Sequence, residues 1–304
     1  MTALRLVQKI IPIAVSLALI FAVTPGLAAG QNAPAYSPAD LDRLVSRIAL
    51  YPDPLLAQVL AAATYPDQIP DAAQWADEHH YLRGDDLARA ITEDNLPWDP
   101  SVQALLPFPS VLEMMASDIN WTRDLGNAFL AQQQDVMDAV QRMRRQAVNY
   151  GYLRTNPQVV VSTSPYITIV PANPDFIVVP VYNPAIVFAR PAPGFFVGGA
   201  INFGFGISLG VAFHPWGWGA TRFVWDRHEV FVANRRWERN WVNRNAYVHH
   251  YDEIHRSNEV RRVERHDLIR RDENERNAAR SGHERPYETH HEQHAQRGDH
   301  GREH

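Results

Sequence analysis

The chain has 304 residues, of which 45% are hydrophobic, and a formal net charge of −5 at pH 7. That length allows one or two domains with a proper core. The lack of any cysteine excludes disulfides, thiolate metal sites and lipid attachment through an N-terminal cysteine.

Residues 1–30 read as a secretory signal. Arg5 and Lys9 give a positive start, residues 10–23 an apolar core, and Gly26, Ala28, Ala29 and Gly30 the small residues of a cleavage site. A membrane anchor is the alternative, but the apolar run is shorter than the ~20 residues of a spanning helix. A cleaved signal implies a periplasmic or secreted protein, where ATP- or nicotinamide-dependent chemistry is not expected.

Ser37-Pro38-Ala39-Asp40 opens a helix with a cap, a first-position proline and an acidic first turn. Residues 48–75 then carry Tyr-Pro-Asp twice, at Tyr51 and Tyr65, on either side of an alanine- and leucine-rich segment. Each proline drives the tyrosine before it out of the helical region, and each aspartate is placed to cap the helix that follows. Leu55, Leu56, Val59, Leu60 and Ala63 recur at helical spacing as one apolar stripe. Further helices are expected over residues 69–79, 85–91, 100–106 (capped by Asp99) and 110–116, then a continuous one over 120–149 ended by Gly151. Residues 36–151 thus read as an all-helical domain able to fold alone. Its carboxylates outnumber its arginines by 17 to 8 between Tyr36 and Tyr150. They read as solvated helix exteriors and caps rather than a surface for a cationic partner.

Several of these motifs carry a family resemblance. Ile48-Ala-Leu-Tyr-Pro-Asp-Pro-Leu-Leu-Ala-Gln-Val-Leu60, Ala63-Thr-Tyr-Pro66 and Pro97-Trp98-Asp99-Pro100-Ser101-Val102 resemble an uncharacterised bacterial envelope family filed as domain of unknown function 3300. The likeness continues through Trp121, Leu125, Gly126, Ala128, Phe129, Ala131, Gln132 and Gln133 to Pro171-Ala-Asn-Pro174 and Val179-Pro-Val-Tyr-Asn-Pro184. The resemblance implies an envelope location and supplies no activity.

Residues 157–190 turn to β-branched runs broken by prolines at 165, 171, 174, 180 and 184. They predict strands over 159–163, 167–170, 176–181 and 186–188, arranged as a small antiparallel meander that packs on the helices or offers an edge to a partner peptide. Residues 191–234 form a Gly/Trp-rich segment. Within it, 194–213 is long enough to span a bilayer, yet its dense glycines and Asn202 favour a packed segment or hairpin. Trp216, Trp218 and Trp225 read as local core, against the alternatives of a headgroup boundary or sugar stacking. A strand pair is expected at 222–225 and 229–232. Gly206-Ile-Ser208-Leu-Gly210 matches a nucleophile elbow only in letters, since Pro215 and the following glycines deny the helix that motif needs.

Residues 235–304 hold 15 arginines, 14 acids and 10 of the 14 histidines, with few apolar residues, and read as a mostly disordered charged tail. The metal candidates lie here: His249, His250 and His255, and His290, His291 and His294. Neutral imidazoles suit zinc, copper or nickel, but no His-Glu-x-x-His motif accompanies them, so the expectation is adventitious divalent binding and no cofactor. Histidine titrates near pH ~6.5, so mild acid would turn the tail into a polycation facing anionic polymers or headgroups.

The expected fold is α+β: an N-terminal all-helical domain, a small proline-broken antiparallel sheet, a Gly/Trp segment and a disordered tail. The expected function is non-enzymatic binding or scaffolding in the envelope, with an envelope protein or anionic surface polymer as partner, peripheral membrane contact allowed and no specific nucleic-acid recognition. The alternative is an envelope hydrolase using a carboxylate pair drawn from Asp53, Asp67 and Asp99.

Overall fold

The capping box at the first helix forms as the sequence dictates: Ser37 Oγ accepts from Asp40 N at 3.2 Å, and Asp40 accepts from Ser37 N at 3.3 Å. The computed structural model describes residues 32–192, 198–204 and 206–247. The expected signal at 1–30, the tail from 248 onward and all six metal-candidate histidines lie outside these residues. Nine α-helices and nine short strands are described: α1 (Pro38–Val45), α2 (Asp53–Ala62), α3 (Ile69–Glu78), α4 (Gly84–Glu93), α5 (Pro100–Gln103), α6 (Pro109–Ser117), α7 (Ile119–Ala131), α8 (Gln133–Asn149), β1 (Val159–Ser162), β2 (Thr168–Pro171), β3 (Phe176–Ile177), β4 (Pro180–Tyr182), α9 (Pro184–Val187), β5 (Ile201–Phe203), β6 (Ile207–Ser208), β7 (Arg222–Val224), β8 (Glu229–Val232) and β9 (Arg235–Arg236). The class is α+β, helices first and small antiparallel sheets after.

The stripe expected on α2 is wider than a stripe. Every residue from Leu55 to Ala63 is buried, and α2 packs against α5, α7, β2, β7 and β8. A helix apolar on all sides belongs in the middle of a core, because no face has to meet water. At its C-terminal end α7 crosses so closely that a Cβ on Gly126 would lie 2.0 Å from the Ala63 carbonyl oxygen. Only glycine fits there.

Three expectations about elements are corrected. The continuous helix over 120–149 is two helices. Gln132 leaves the helical region (φ −140°, ψ 48°), and its side chain then pairs both backbone groups of Tyr36, accepting from N at 2.7 Å and donating to O at 3.3 Å. Residues 186–188 are not a strand. Asn183 accepts from Ala185 N at 2.9 Å and Pro184 takes the first helical position, so the Asn-Pro pair starts α9 despite the β-branched residues behind it. The strands also form no meander. β1 and β2 make a hairpin, but β3 pairs with β6 and β4 with β5, both antiparallel and both reaching into the Gly/Trp segment. The boundary placed at residue 190 therefore cuts through paired strands.

Trp216, Trp218 and Trp225 are core as expected, but the core is shared with the helices rather than local. Trp218 donates to Ala104 O at 3.0 Å, Trp216 to Gln103 Oε1 at 2.7 Å and Trp225 to Asp53 Oδ2 at 3.1 Å, and all three indoles are buried with the helical core. This shared core speaks against the expectation that residues 36–151 fold alone. Among the described residues no helix is long and apolar enough to cross a membrane, and part of 194–213 is β5 and β6. Residues 235–247, placed in the tail by composition, are also tied down. β9 pairs with β8, Trp237 packs near Phe129, and Trp241 N donates to Leu130 O at 2.9 Å.

Candidate functional site

The first Tyr-Pro-Asp breaks the chain between α1 and α2 and leaves backbone carbonyls inside the protein. Arg144 of α8, fully buried, satisfies them: Nε donates to Ala49 O at 2.8 Å, one terminal nitrogen to Tyr51 O at 2.9 Å, and the other to Ile167 O at 2.9 Å and Asp53 Oδ1 at 2.6 Å. Asp53 also accepts from Ile169 N at 3.3 Å and from Trp225 Nε1. The expected helix-capping role of Asp53 is thus replaced by a buried ion pair. The N-cap position is Pro52, and Asp53 makes no cap hydrogen bond. Nearby, burial pushes the Tyr51 hydroxyl up to about 12, and Tyr182 Oη bridges Leu50 N and Ser46 O. These groups hold the fold: the Asp53 carboxylate is taken up by Arg144, Ile169 N and the Trp225 indole, and the Tyr182 hydroxyl by backbone.

The second Tyr-Pro-Asp differs. Asp67 is exposed at the start of a 3-10 turn and caps nothing, whereas Gln68 accepts from Asp99 N at 2.7 Å. Asp99 does cap α5 as expected, taking Ser101 N at 2.9 Å and Ser101 Oγ at 2.6 Å, while its other oxygen accepts from Arg239 at 3.0 Å. Burial outweighs those hydrogen bonds and holds the Asp99 carboxyl above its usual range. Asp53, Asp67 and Asp99 therefore sit in three separate settings: an internal ion pair, an exposed turn and a helix cap. The structure does not bring them together as a catalytic pair.

A well-defined concavity lies elsewhere. A cleft of about 630 Å³ opens between the end of β2, the end of β6 and the 3-10 turn before Trp218. Its apolar lining comes from Pro54, Val170, Pro171, Pro174, Ile177, Leu209, Val211 and Trp218. Its only ionisable side chains are Asp175 and His214, both exposed. Val211 is 77% exposed and Val170 41%, and Val160, paired across from Val170 on the hairpin, extends the apolar rim. Gly210 (φ 56°) and Gly219 (φ 86°) line the cleft in backbone conformations that favour glycine, leaving its walls low. The hairpin edge itself is not open for strand addition. Asp53 takes Ile169 N, Gln141 pairs both backbone groups of Ile167, and Thr155 does the same for Val161 on the other side.

Sequence reasoning missed Arg144 and the cleft. Arg144 left a signal: it falls in register with Met137, Val140 and Ala147 on the apolar face of α8, where an unpaired charge would be costly. The cleft left none, since its walls come from residues 54, 170–177 and 209–221. Ser208 stands exposed on β6, with a 3-10 turn rather than an α-helix after it, so the elbow reading fails on structure as well. Among the described residues no group of three His, Asp or Glu could hold a metal ion.

A family model described as protein of unknown function (DUF3300) matches residues 37–275. The chain is similar to the uncharacterized protein YacH of Escherichia coli (strain K12), 35% identical over 224 residues, which cover 59% of this chain and 36% of the relative. The match thus spans little more than a third of that relative's length. No solved structure matches.

Proposed function

We propose, for a chain that belongs to the protein family of unknown function DUF3300, an exported, non-catalytic binding protein of the cell envelope whose cleft receives an extended, uncharged segment of a partner protein. The observation that carries this reading is the cleft of about 630 Å³ with its prolyl and aliphatic lining. Small-molecule and peptide sites are typically concave, mostly apolar and furnished with a few polar groups. Here those groups are Asp175 and His214 at the rim. No arginine lines the cleft, so an anionic surface polymer has no counter-charge there, whereas a segment of aliphatic and prolyl residues matches the walls. Anionic polymer or headgroup contact belongs instead to the tail, whose histidines add positive charge in mild acid.

The test is direct binding of an array of uncharged aliphatic and prolyl peptides to the full chain and to Val211→Asp. Val211 is 77% exposed, so the substitution leaves the core intact. The reading expects saturable peptide binding that Val211→Asp abolishes, with no change in circular dichroism. Absence of binding, or binding indifferent to Val211→Asp, counts against it. Hydrolysis of an envelope polymer that Asp53→Asn or Asp99→Asn abolishes, with folding retained, would favour the hydrolase.

A further inference from the structure

Away from the cleft, a cavity of about 290 Å³ is lined by residues of the turn between α8 and β1 and by residues from 198–203. Both contributors are held in place by the fold. After Gly151, Tyr152 N and Leu153 N donate to Ala147 O at 2.9 and 3.1 Å, which ends α8 and turns the chain back. Asn156 Oδ1 then accepts from Gln158 N at 2.9 Å and from Val159 N at 3.0 Å, leading into β1. The other contributor, β5, is held by β4, with Asn202 opposite Val181. Tyr152 and Val159 are buried in a second core cluster, and Ile201 and Phe203, which line the cavity with Tyr152, pack on it. The cavity therefore stands on packed core rather than on a free loop.

The lining is mostly polar, and little of it is used by the protein itself. Arg154, Gln158 and Asn202 are exposed and spend no side-chain hydrogen bond or ion pair on the described residues. Tyr152 is only 8% exposed, yet it lines the cavity, and its hydroxyl has no partner among the described residues either. Asn156 uses its oxygen on the turn and keeps its N–H groups to donate. No acidic side chain lines the cavity, so Arg154 is not neutralised there and a cationic ligand is disfavoured. The volume sits at the lower end of the roughly 300–1,000 Å³ of small-molecule sites, which is room for one ring-sized unit. Around that unit five hydrogen-bonding side chains gather: Tyr152, Arg154, Asn156, Gln158 and Asn202. A peptide segment of that size offers them one or two polar groups, whereas a sugar carries one on nearly every carbon. Side-chain amides both donate and accept, as sugar hydroxyls do, and a guanidinium takes a carboxylate through two parallel bonds. A bare anion would leave the amide oxygens of Gln158 and Asn202 unused. Tyr152 and Phe203 add aromatic surface for the C–H groups of a sugar ring.

We propose that this cavity binds one acidic sugar unit, a hexuronate, with Arg154 on its carboxylate and the amides of Gln158 and Asn202 on its hydroxyls. The unit is either a free sugar acid or one residue of an acidic polysaccharide, and the site is independent of the cleft. It also differs from the tail, whose histidines gain charge only in mild acid, because arginine is charged throughout. To test it, the full chain is titrated at pH 7.5 and fixed ionic strength with galacturonate, galactose, tetragalacturonate, acetate and inorganic phosphate. Calorimetry and the side-chain amide signals of the NMR spectrum follow the binding. The expected result is saturable galacturonate binding, roughly tenfold or more tighter than galactose, acetate or phosphate, the usual gain from a hydrogen bond to a charged group. The amide signal missing from the Asn202→Ala spectrum should shift. Arg154→Gln should lower galacturonate to the level of galactose, and Tyr152→Phe, with its ring kept, should weaken both by roughly fivefold. Val211→Asp, which alters the cleft, should change neither. Tetragalacturonate binding far more tightly than galacturonate marks a polymer as the source; equal affinity marks a free sugar acid or a chain end. The proposal is overturned if no sugar saturates, if acetate or phosphate binds as tightly as galacturonate, or if Arg154→Gln has no effect. Loss of galacturonate binding in Val211→Asp would overturn it too, by placing the ligand in the cleft. Arg154 and Asn202 are exposed, so their variants keep the fold, as circular dichroism would verify. If Tyr152→Phe misfolds, the Arg154→Gln comparison decides alone.

Discussion

Replacing Arg144 with Met tests whether the first Tyr-Pro-Asp turn depends on one buried cation. Methionine keeps a long unbranched side chain in the α8 stripe but removes all hydrogen bonds to Ala49, Tyr51 and Ile167 and the partner of Asp53. Asp53, with its side chain 10% exposed, would then carry an unpaired charge in the core. Removing one partner of such a pair costs about 3–5 kcal/mol. For a folded region of this size a loss of ~4 kcal/mol lowers the melting temperature by roughly 8–16 °C, a large part of the ~5–15 kcal/mol that domains possess. Differential scanning calorimetry of Arg144→Met against the unaltered chain measures this. The double variant Arg144→Met with Asp53→Asn removes the stranded charge and should recover ~1–2 kcal/mol, not all, because the Ala49 and Tyr51 carbonyls lose their Arg144 donor while Ile167 O keeps only Gln141. A cost below ~1 kcal/mol for the single variant, or a double variant no more stable than the single, would refute the account.

Gly126→Ala should destabilise by ~1–3 kcal/mol or more, since the new methyl would meet the Ala63 carbonyl at 2.0 Å; chemical denaturation reads the loss. A fragment of residues 36–151 should bind hydrophobic dyes and melt without a sharp transition, because Trp216, Trp218 and Trp225 complete its core; a cooperative melt would show that the sheets are dispensable. Asp99 binds its proton more tightly folded than unfolded, so its contribution to stability falls as pH rises from its unfolded value of ~3.9 through the raised folded one. Stability relative to Asp99→Asn should therefore move in favour of the unaltered chain as pH is lowered through that window, as parallel urea melts would report. Export predicts a mature N-terminus between Ala28 and Gln31 in mass spectra of the envelope fraction; an intact Met1 in the cytoplasm would contradict it.

Local chemistry was legible wherever one turn of chain decided the outcome. Ser37 and Asp99 cap the helices they precede, and Tyr65, before Pro66, leaves the helical region (φ −123°, ψ 56°), because capping and φ restriction act over three or four residues. Failures came where a distant partner overrode the local rule. Asp53 has the sequence of a cap, yet Arg144, some ninety positions later, offers it a charge-assisted bond that the helix end cannot match. Gln132 sits in an unbroken helical pattern, yet Tyr36 needs both backbone groups satisfied, and a single residue out of register supplies them.

The same logic explains why composition misjudged residues 235–247. This stretch is polar by count, but it carries Trp237 and Trp241, and one indole at the right place can anchor a segment that averages as solvated. Trp237 N donates to Val230 O at 2.8 Å, Trp237 lies against Phe129, and Arg239 reaches Asp99 between aromatic rings. The contacts with Phe129 of α7 and with Asp99, the cap of α5, join late residues to helices packed on α2, and the bond to Val230 holds them to β8. The Gly/Trp segment and this anchor therefore act on the helical region as a clasp does, from outside and at fixed points. That arrangement also forms the apolar cleft beside the hairpin. The cleft could not be built by the helices alone, since Leu209, Val211 and Trp218 line it. The late, glycine- and tryptophan-rich part of the chain thus completes the core and at the same step supplies the surfaces on which function is to be sought.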